Sequence, residues 1–144
     1  MKSATPAPTP MSVAEMQQRL ERSPFNGFMG LRLLKADAEL GELDMRMELR
    51  PEFERMSGSG QFHGGILSAF IDTVGQYALM MQLGKPLATI NLRVDYLRPA
   101  VQTGLLASAR VWRIGRSVCV ADVTVSDDAH KVVAIGRANY ATPS

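Results

Sequence analysis

Residues 57–83 read SGSGQFHGGILSAFIDTVGQYALMMQL, and this stretch decides the fold. A flexible Gly/Ser loop leads into His63-Gly64-Gly65, and from Ile66 to Leu83 the chain is apolar almost all the way round. That pattern predicts a helix enclosed by other structure, not one lying on a surface. Ser68, Asp72 and Gln76 recur at i, i+4 and i+8 and form one thin polar stripe on it. Gly84-Lys85-Pro86 ends it. The expectation is therefore a buried Asp72, nine residues after His63, which is costly unless donors surround it.

Working outward, the period changes from 3.6 to 2 on both sides of the helix. Leu31–Ala38 and a second strand around Leu43, Met45, Met47 and Leu49 are predicted to pair through Gly41. After the helix, Ile90, Leu92, Val94 and Tyr96 alternate with Asn91, Arg93 and Asp95. Strands over Leu105–Ile114, Ser117–Val125 and Lys131–Tyr140 follow, separated by turn signals. Upstream, Met1–Met11 is Pro/Thr/Ala-rich and expected to be a disordered tail, with a single domain over residues 12–144. Ser12-Val13-Ala14-Glu15 has capping-box spacing for a helix to about Arg22, and Pro24–Gly30 reads as a turn or one helical turn. Two strands, one buried helix and four more strands predict an α+β fold in which one curved antiparallel sheet wraps the helix.

At 144 residues, 46% hydrophobic and 21% charged, the chain can bury one core. A net charge of +2 favours neither nucleic acid nor a membrane surface as partner. The charge is unevenly spread, with eight basic and ten acidic residues up to Gly84 but eight basic and four acidic after it, so a small anionic ligand is drawn to the second half. The single cysteine, Cys119, alternates with Ala121 and Val123 and reads as packing in a reducing compartment. With no apolar leader at the N-terminus, a cytoplasmic location is expected. Metal-ligand spacing, phosphate-loop glycines and a Ser-His-Asp arrangement do not stand out. His130, in an Asp-rich turn, reads as solvated.

Gly64 and Gly65 fall in the first turn of the predicted helix, where backbone N–H groups lack intrahelical partners and the helix dipole favours negative charge. Without a Cβ they let a carbonyl oxygen come close, which suits an oxyanion, although Gly-Gly also serves a tight entry into a helix. Asp72 reads either as a general base or nucleophile, or as a core residue satisfied by donors from Thr73, Gln76 or a partner subunit.

The residues NGFMGL (26–31), SGSGQFHGGILSAFIDTVGQYALMM (57–81) and KPLATINLRVDYLRPA (85–100) resemble the hotdog-fold acyl-CoA thioesterases of the phenylacetate-degradation type, over roughly Phe25 to Tyr140. The resemblance implies hydrolysis of an acyl- or aryl-CoA thioester, with coenzyme A as part of the substrate and no separate cofactor. It implies a homodimer, or a tetramer made of two such dimers, in which the acid and the His-Gly-Gly donors of one site come from opposite subunits. His63 then orients the loop, and Thr89 falls where similar enzymes orient a water, a task open to Gln76 as well. Ser57 stands where such proteins commonly carry an Asn or Gln six residues before the histidine, so the oxyanion site is weaker or differently built. In similar enzymes the region of Arg113, Gly115, Arg116 and Ser117 runs along pantetheine and the phosphates; Arg93, Arg98, Lys131 and Arg137 are further candidates. A non-catalytic acyl-CoA-binding protein is the alternative, and a hydratase or dehydratase on the same fold is a third reading.

Overall fold

The computed structural model describes residues 7–144. In chain order the elements are α1 (Val13–Arg22), α2 (Pro24–Met29), β1 (Arg32–Asp37), β2 (Glu42–Met47), a 3-10 turn (Pro51–Phe53), α3 (Gly64–Leu83), β3 (Thr89–Tyr96), β4 (Leu105–Ile114), β5 (Val118–Asp127) and β6 (Val132–Ala141). The six strands form one antiparallel sheet in the order β1-β2-β4-β5-β6-β3, and α3 crosses its inner face. This is the α+β hotdog architecture that the sequence predicted.

The local signals act as expected. The Ser12 hydroxyl accepts from Glu15 N–H and the Glu15 carboxylate accepts from Ser12 N–H, a complete capping box on α1. Gly84 ends α3 in the left-handed region at φ 69°, with its N–H donating to Met80 O. Residues 1–6 of the expected tail lie outside the described residues. Within the rest of that segment Met11 N–H donates to Met81 O at 3.1 Å, which ties it to the C-terminal half of α3.

The inner face is built from complementary sizes. Leu43, Met45 and Met47 line β2, whereas the middle of the sheet carries Ala107, Ala109, Ala121 and Ala138, all buried. These small residues leave room for Phe70, Ile71, Val74 and Met81 of α3. Two glycines set the closest approaches. A Cβ on Gly136 would stand 2.7 Å from Ile71 Cγ2, and one on Gly75 would stand 2.6 Å from the Tyr140 hydroxyl oxygen. That hydroxyl, buried with its ring, donates to the main-chain oxygen of Asp72 at 2.7 Å. Burial first, and the negative Asp72 second, push the Tyr140 phenol far above its ordinary pKa, so it stays a donor.

The outer face is a charge ladder. Glu42, Arg110, Asp122, Arg137 and Arg93 lie opposite one another on five neighbouring strands. Arg137 grips Asp122 at 2.6 and 2.8 Å and holds its carboxyl below the usual range. This face is a solvated surface.

Two expectations need correction. No charged residue is buried among the described residues, and Asp72 is half-buried in the protomer. The apolar look of α3 also overstates its enclosure, because Ser68, Asp72, Thr73 and Gln76 all keep partial exposure. The reason is topological: this side of α3 lies beside β3, the last strand of the sheet, and nothing in the protomer stands beyond it. No described helix is long and apolar enough to cross a membrane.

Gly75→Ala is expected to lower stability by about 1–3 kcal/mol, the usual cost of forcing extra volume into a packed core. The contact it creates is with the Tyr140 oxygen, the ring carbon behind it being 3.5 Å away. In a Tyr140→Phe background the same substitution therefore costs clearly less, which a double-mutant cycle of denaturant midpoints measures.

Candidate functional site

The entry to α3 is held from three sides. Phe62 N–H donates to Ala100 O, His63 N–H donates to Phe53 O, and Gln61 pairs with Val101. The Glu54 carboxylate accepts from Gly58 and Gly60 N–H at 2.6 and 3.2 Å, closing the loop that carries Ser57. Ser57 itself is exposed, and its hydroxyl makes no hydrogen bond among the described residues.

His63 is the N-cap. Its Nδ1 accepts from Gly65 N–H at 2.9 Å, so the neutral ring carries its proton on Nε2. This supports the structural reading of His63 and separates the two glycines, expected as a pair of donors. The Gly65 amide is occupied by the histidine, whereas the Gly64 amide has no acceptor among the described residues. Gly64 is overlaid by Tyr96, where a Cβ would stand 3.3 Å from the ring. The Tyr96 hydroxyl donates to Gly64 O at 2.9 Å and meets the Ser68 hydroxyl. Gly64, Leu67, Tyr96, Arg55 and Arg98 line an open groove of about 410 Å³.

Two turns further on, Thr89 Oγ1 donates to Asp72 Oδ1 at 2.8 Å. Strict alternation would turn Thr89 outward with Asn91 and Arg93. The register of β3 slips between Thr89 and Asn91, which leaves Ile90 exposed and sends Thr89 inward. Asp72 Oδ2 has no partner among the described residues. The Gln76 amide is committed to Leu87 O, two residues before Thr89, so Gln76 secures the segment that delivers the threonine. Asp72, Thr89 and Gln76 are thus brought together, but Gly64 is not with them. Eight residues of helix separate it from Asp72, about 12 Å along the axis, too far for both to touch one carbonyl.

The corner Arg113–Ser117 lies at the Asp72 end. Thr142 N–H donates to Ser117 O, and the neighbouring Ala141 N–H donates to Ala88 O, the residue before Thr89. Arg113, Gly115, Arg116 and Ser117 line a groove of about 400 Å³ there, and neither arginine forms an ion pair among the described residues. The Gly115 N–H is used internally, donating to Val118 O, and a Cβ at Gly115 would come within 2.4 Å of that oxygen. Arg93 and Arg137 point elsewhere, into pairs with Asp95 and Asp122 on the outer face. His130 is exposed, with φ 61°, in its turn. Among the described residues no group of three or more His, Cys, Asp and Glu side chains is placed to hold a metal ion.

Sequence reasoning missed Tyr96, which bonds to Gly64 and Ser68, and Tyr140, which bonds to the main-chain oxygen of Asp72. The signal for Tyr96 was its place on the inward phase of β3, and that for Tyr140 was its spacing from Ala138 on β6; neither spacing says where on α3 the ring will land.

The chain matches the profile of the thioesterase superfamily over residues 59–134. It is 35% identical to a candidate esterase of Halobacterium salinarum, over 90% of this chain and 91% of that protein. It is 26% identical to the medium/long-chain acyl-CoA thioesterase YigI of Escherichia coli, over 81% of this chain and 84% of that protein. Among solved structures, a phenylacetic acid degradation-related protein from Ralstonia eutropha superposes with a TM-score of 0.77 at 30% identity, covering 88% of this chain and 98% of the other. The profile match over more than half of the chain, with a relative 35% identical along nine-tenths of it, places the chain in the thioesterase superfamily.

Proposed function

We propose that the protein hydrolyses an acyl- or aryl-CoA thioester to the free acid and CoA. Asp72 acts as general base on water or as direct nucleophile, and the Gly64 amide is the oxyanion donor. The observation that carries this reading is the half-buried Asp72 carboxylate, fixed through one oxygen by Thr89 and left open at the other. In the base route Oδ2 takes a proton from water, whose oxygen attacks the thioester carbon. The carbonyl oxygen gathers charge against a preorganised N–H, and the C–S bond then breaks to release CoA. In the nucleophile route Oδ2 itself attacks the thioester carbon, the C–S bond breaks to release CoA thiolate, and water then cleaves the acyl-aspartyl anhydride to the free acid and the restored Asp72 carboxylate.

The separation of about 12 Å between the two groups on one helix calls for two copies, in which Asp72 of one protomer faces Gly64 of the other. The edge of the sheet supports this pairing. β3 is an eight-residue edge strand whose neighbourhood exposes Ile90, Tyr96 and Leu97, the kind of edge that proteins cover. A C2 dimer joined there encloses both polar stripes. Arg113 and Arg116, at the Asp72 end, hold the phosphates of the CoA moiety.

The exposed, unbonded Ser57 favours one competing reading, an acyl-CoA-binding protein without turnover. Release of CoA thiol by the purified protein decides between them.

Asp72→Asn is expected to lower hydrolysis by ~10²–10⁴ while leaving substrate affinity largely intact, as for a positioned acid–base group. Wild-type turnover in this variant would leave the carboxylate as packing. Mixing it with Gly64→Val should restore one working site per heterodimer from two inactive parents. Sedimentation should show a dimer or a dimer of dimers, and a stable, active monomer would end the shared-site geometry. Removing the charges of Arg113 and Arg116 should raise KM for CoA thioesters but leave a short pantetheine thioester nearly unaffected, because remote contacts add uniform binding.

A further inference from the structure

The open Gly64 amide is a single donor, and a developing oxyanion is best held by more than one. The first turn of α3 supplies no second amide, because Gly65 N–H is spent on His63 Nδ1. Ser57 is exposed and does not line the groove at Gly64. Arg55 and Arg98 do line it, but both are exposed and neither forms an ion pair among the described residues, so nothing fixes the aim of their guanidinium groups.

Tyr96 is placed differently. Its ring lies over Gly64, and its hydroxyl oxygen is 3.6 Å from the point that a Cβ on Gly64 would occupy. With standard backbone dimensions the phenol oxygen and the Gly64 nitrogen are then no more than about 6 Å apart, a span that one oxygen accepting from both at about 3 Å bridges. Tyr96 and Gly64 line the same groove, and Tyr96 is 53% exposed, so a ligand in the groove reaches the phenol. The bond that the phenol makes at rest is also dispensable. It donates to Gly64 O, a carbonyl of the first α3 turn that already has its place in the helix ladder, so releasing it orphans no group. Ser68, on the polar stripe, meets the phenol oxygen as well. With Tyr96 donating onward, Ser68 is the donor of that pair, and a hydroxyl that accepts a hydrogen bond donates a stronger one.

We infer that the Tyr96 hydroxyl is the second oxyanion donor, with Ser68 as the residue that positions it. This rests on the thioester hydrolase reading above. As water or Asp72 adds to the thioester carbon, the Tyr96 O–H turns from Gly64 O to the former carbonyl oxygen, which then accepts from Gly64 N–H and Tyr96 O–H together. The proton stays on the phenol throughout, and the charge leaves the oxygen when the C–S bond breaks.

The test compares wild type, Tyr96→Phe and Ser68→Ala on one acyl-CoA that the wild type hydrolyses. Tyr96→Phe keeps the ring over Gly64 and removes only the O–H, so kcat is expected to fall by about 10²-fold with KM changed by less than about threefold. Ser68→Ala should lower kcat by about three- to tenfold. Two inhibitors separate this role from a structural one. A trifluoromethyl ketone analogue of the acyl-CoA forms a tetrahedral adduct at its carbonyl, and its Ki should rise in Tyr96→Phe by about the factor by which kcat falls. The S-alkyl thioether of CoA has no carbonyl, and its Ki should stay within about twofold in both variants. Wild-type kcat in folded Tyr96→Phe, or equal weakening of both inhibitors, overturns the inference and leaves the hydrolase reading in place. A wild-type protein that releases no CoA thiol from any acyl- or aryl-CoA overturns both. Should Tyr96→Phe not fold, unchanged kcat and ketone affinity in Ser68→Ala suffice to overturn the inference.

Discussion

Everything at the site depends on how closely α3 can approach the sheet. The contact that sets this distance is the Tyr140 hydroxyl against the main-chain oxygen of Asp72, made possible by the missing side chain at Gly75. A hydrogen bond to a main-chain oxygen inside a helix is an additional partner for a group already bonded in the helix ladder, so its effect is positional. It fixes the turn that carries Asp72 over β6, and the β6–β3 pairing then brings Thr89 within reach of the carboxylate. Gly136 against Ile71 repeats the device one turn earlier. With alanines along the middle of the sheet, the helix lies close and level, and its orientation about its own axis is determined by which residues must be small.

That orientation leaves the polar stripe on the side next to the edge strand. A stripe on the sheet side would put Asp72 among alanines and valines with no donors, at a cost no single hydrogen bond offsets. A stripe pointing to open solvent would leave the carboxylate too hydrated to act on a thioester. The observed position is intermediate. Thr89 supplies one donor from the protomer, and in the proposed shared site a second copy supplies the remaining cover. On that proposal, chemistry and assembly draw on the same residues.

The helix N-terminus shows how function divides between similar groups. Gly64 and Gly65 are adjacent and chemically identical, yet His63 takes the Gly65 amide and leaves the other open. Tyr96 then seals the Gly64 carbonyl side, so the free N–H lies in a groove bounded by an aromatic ring. The histidine contributes by accepting a bond at Nδ1 from the Gly65 amide.

The sequence by itself determined the element order, the single long helix, its caps and the i, i+4, i+8 stripe, because these follow from local periodicity and from turn chemistry confined to a few neighbouring residues. It also identified Asp72 and the glycine entry as candidates, since a lone carboxylate and a Gly-Gly pair are conspicuous in an apolar run. The tertiary structure alone decided that Asp72 is half-buried, that Thr89 turns inward through a slip in β3, that only one of two adjacent amides stays open, and that Tyr96 and Tyr140 bond to α3 at Gly64, Ser68 and Asp72. These depend on contacts between residues dozens of positions apart, and on which side of the helix the sheet ends, neither of which leaves a periodic mark in the chain.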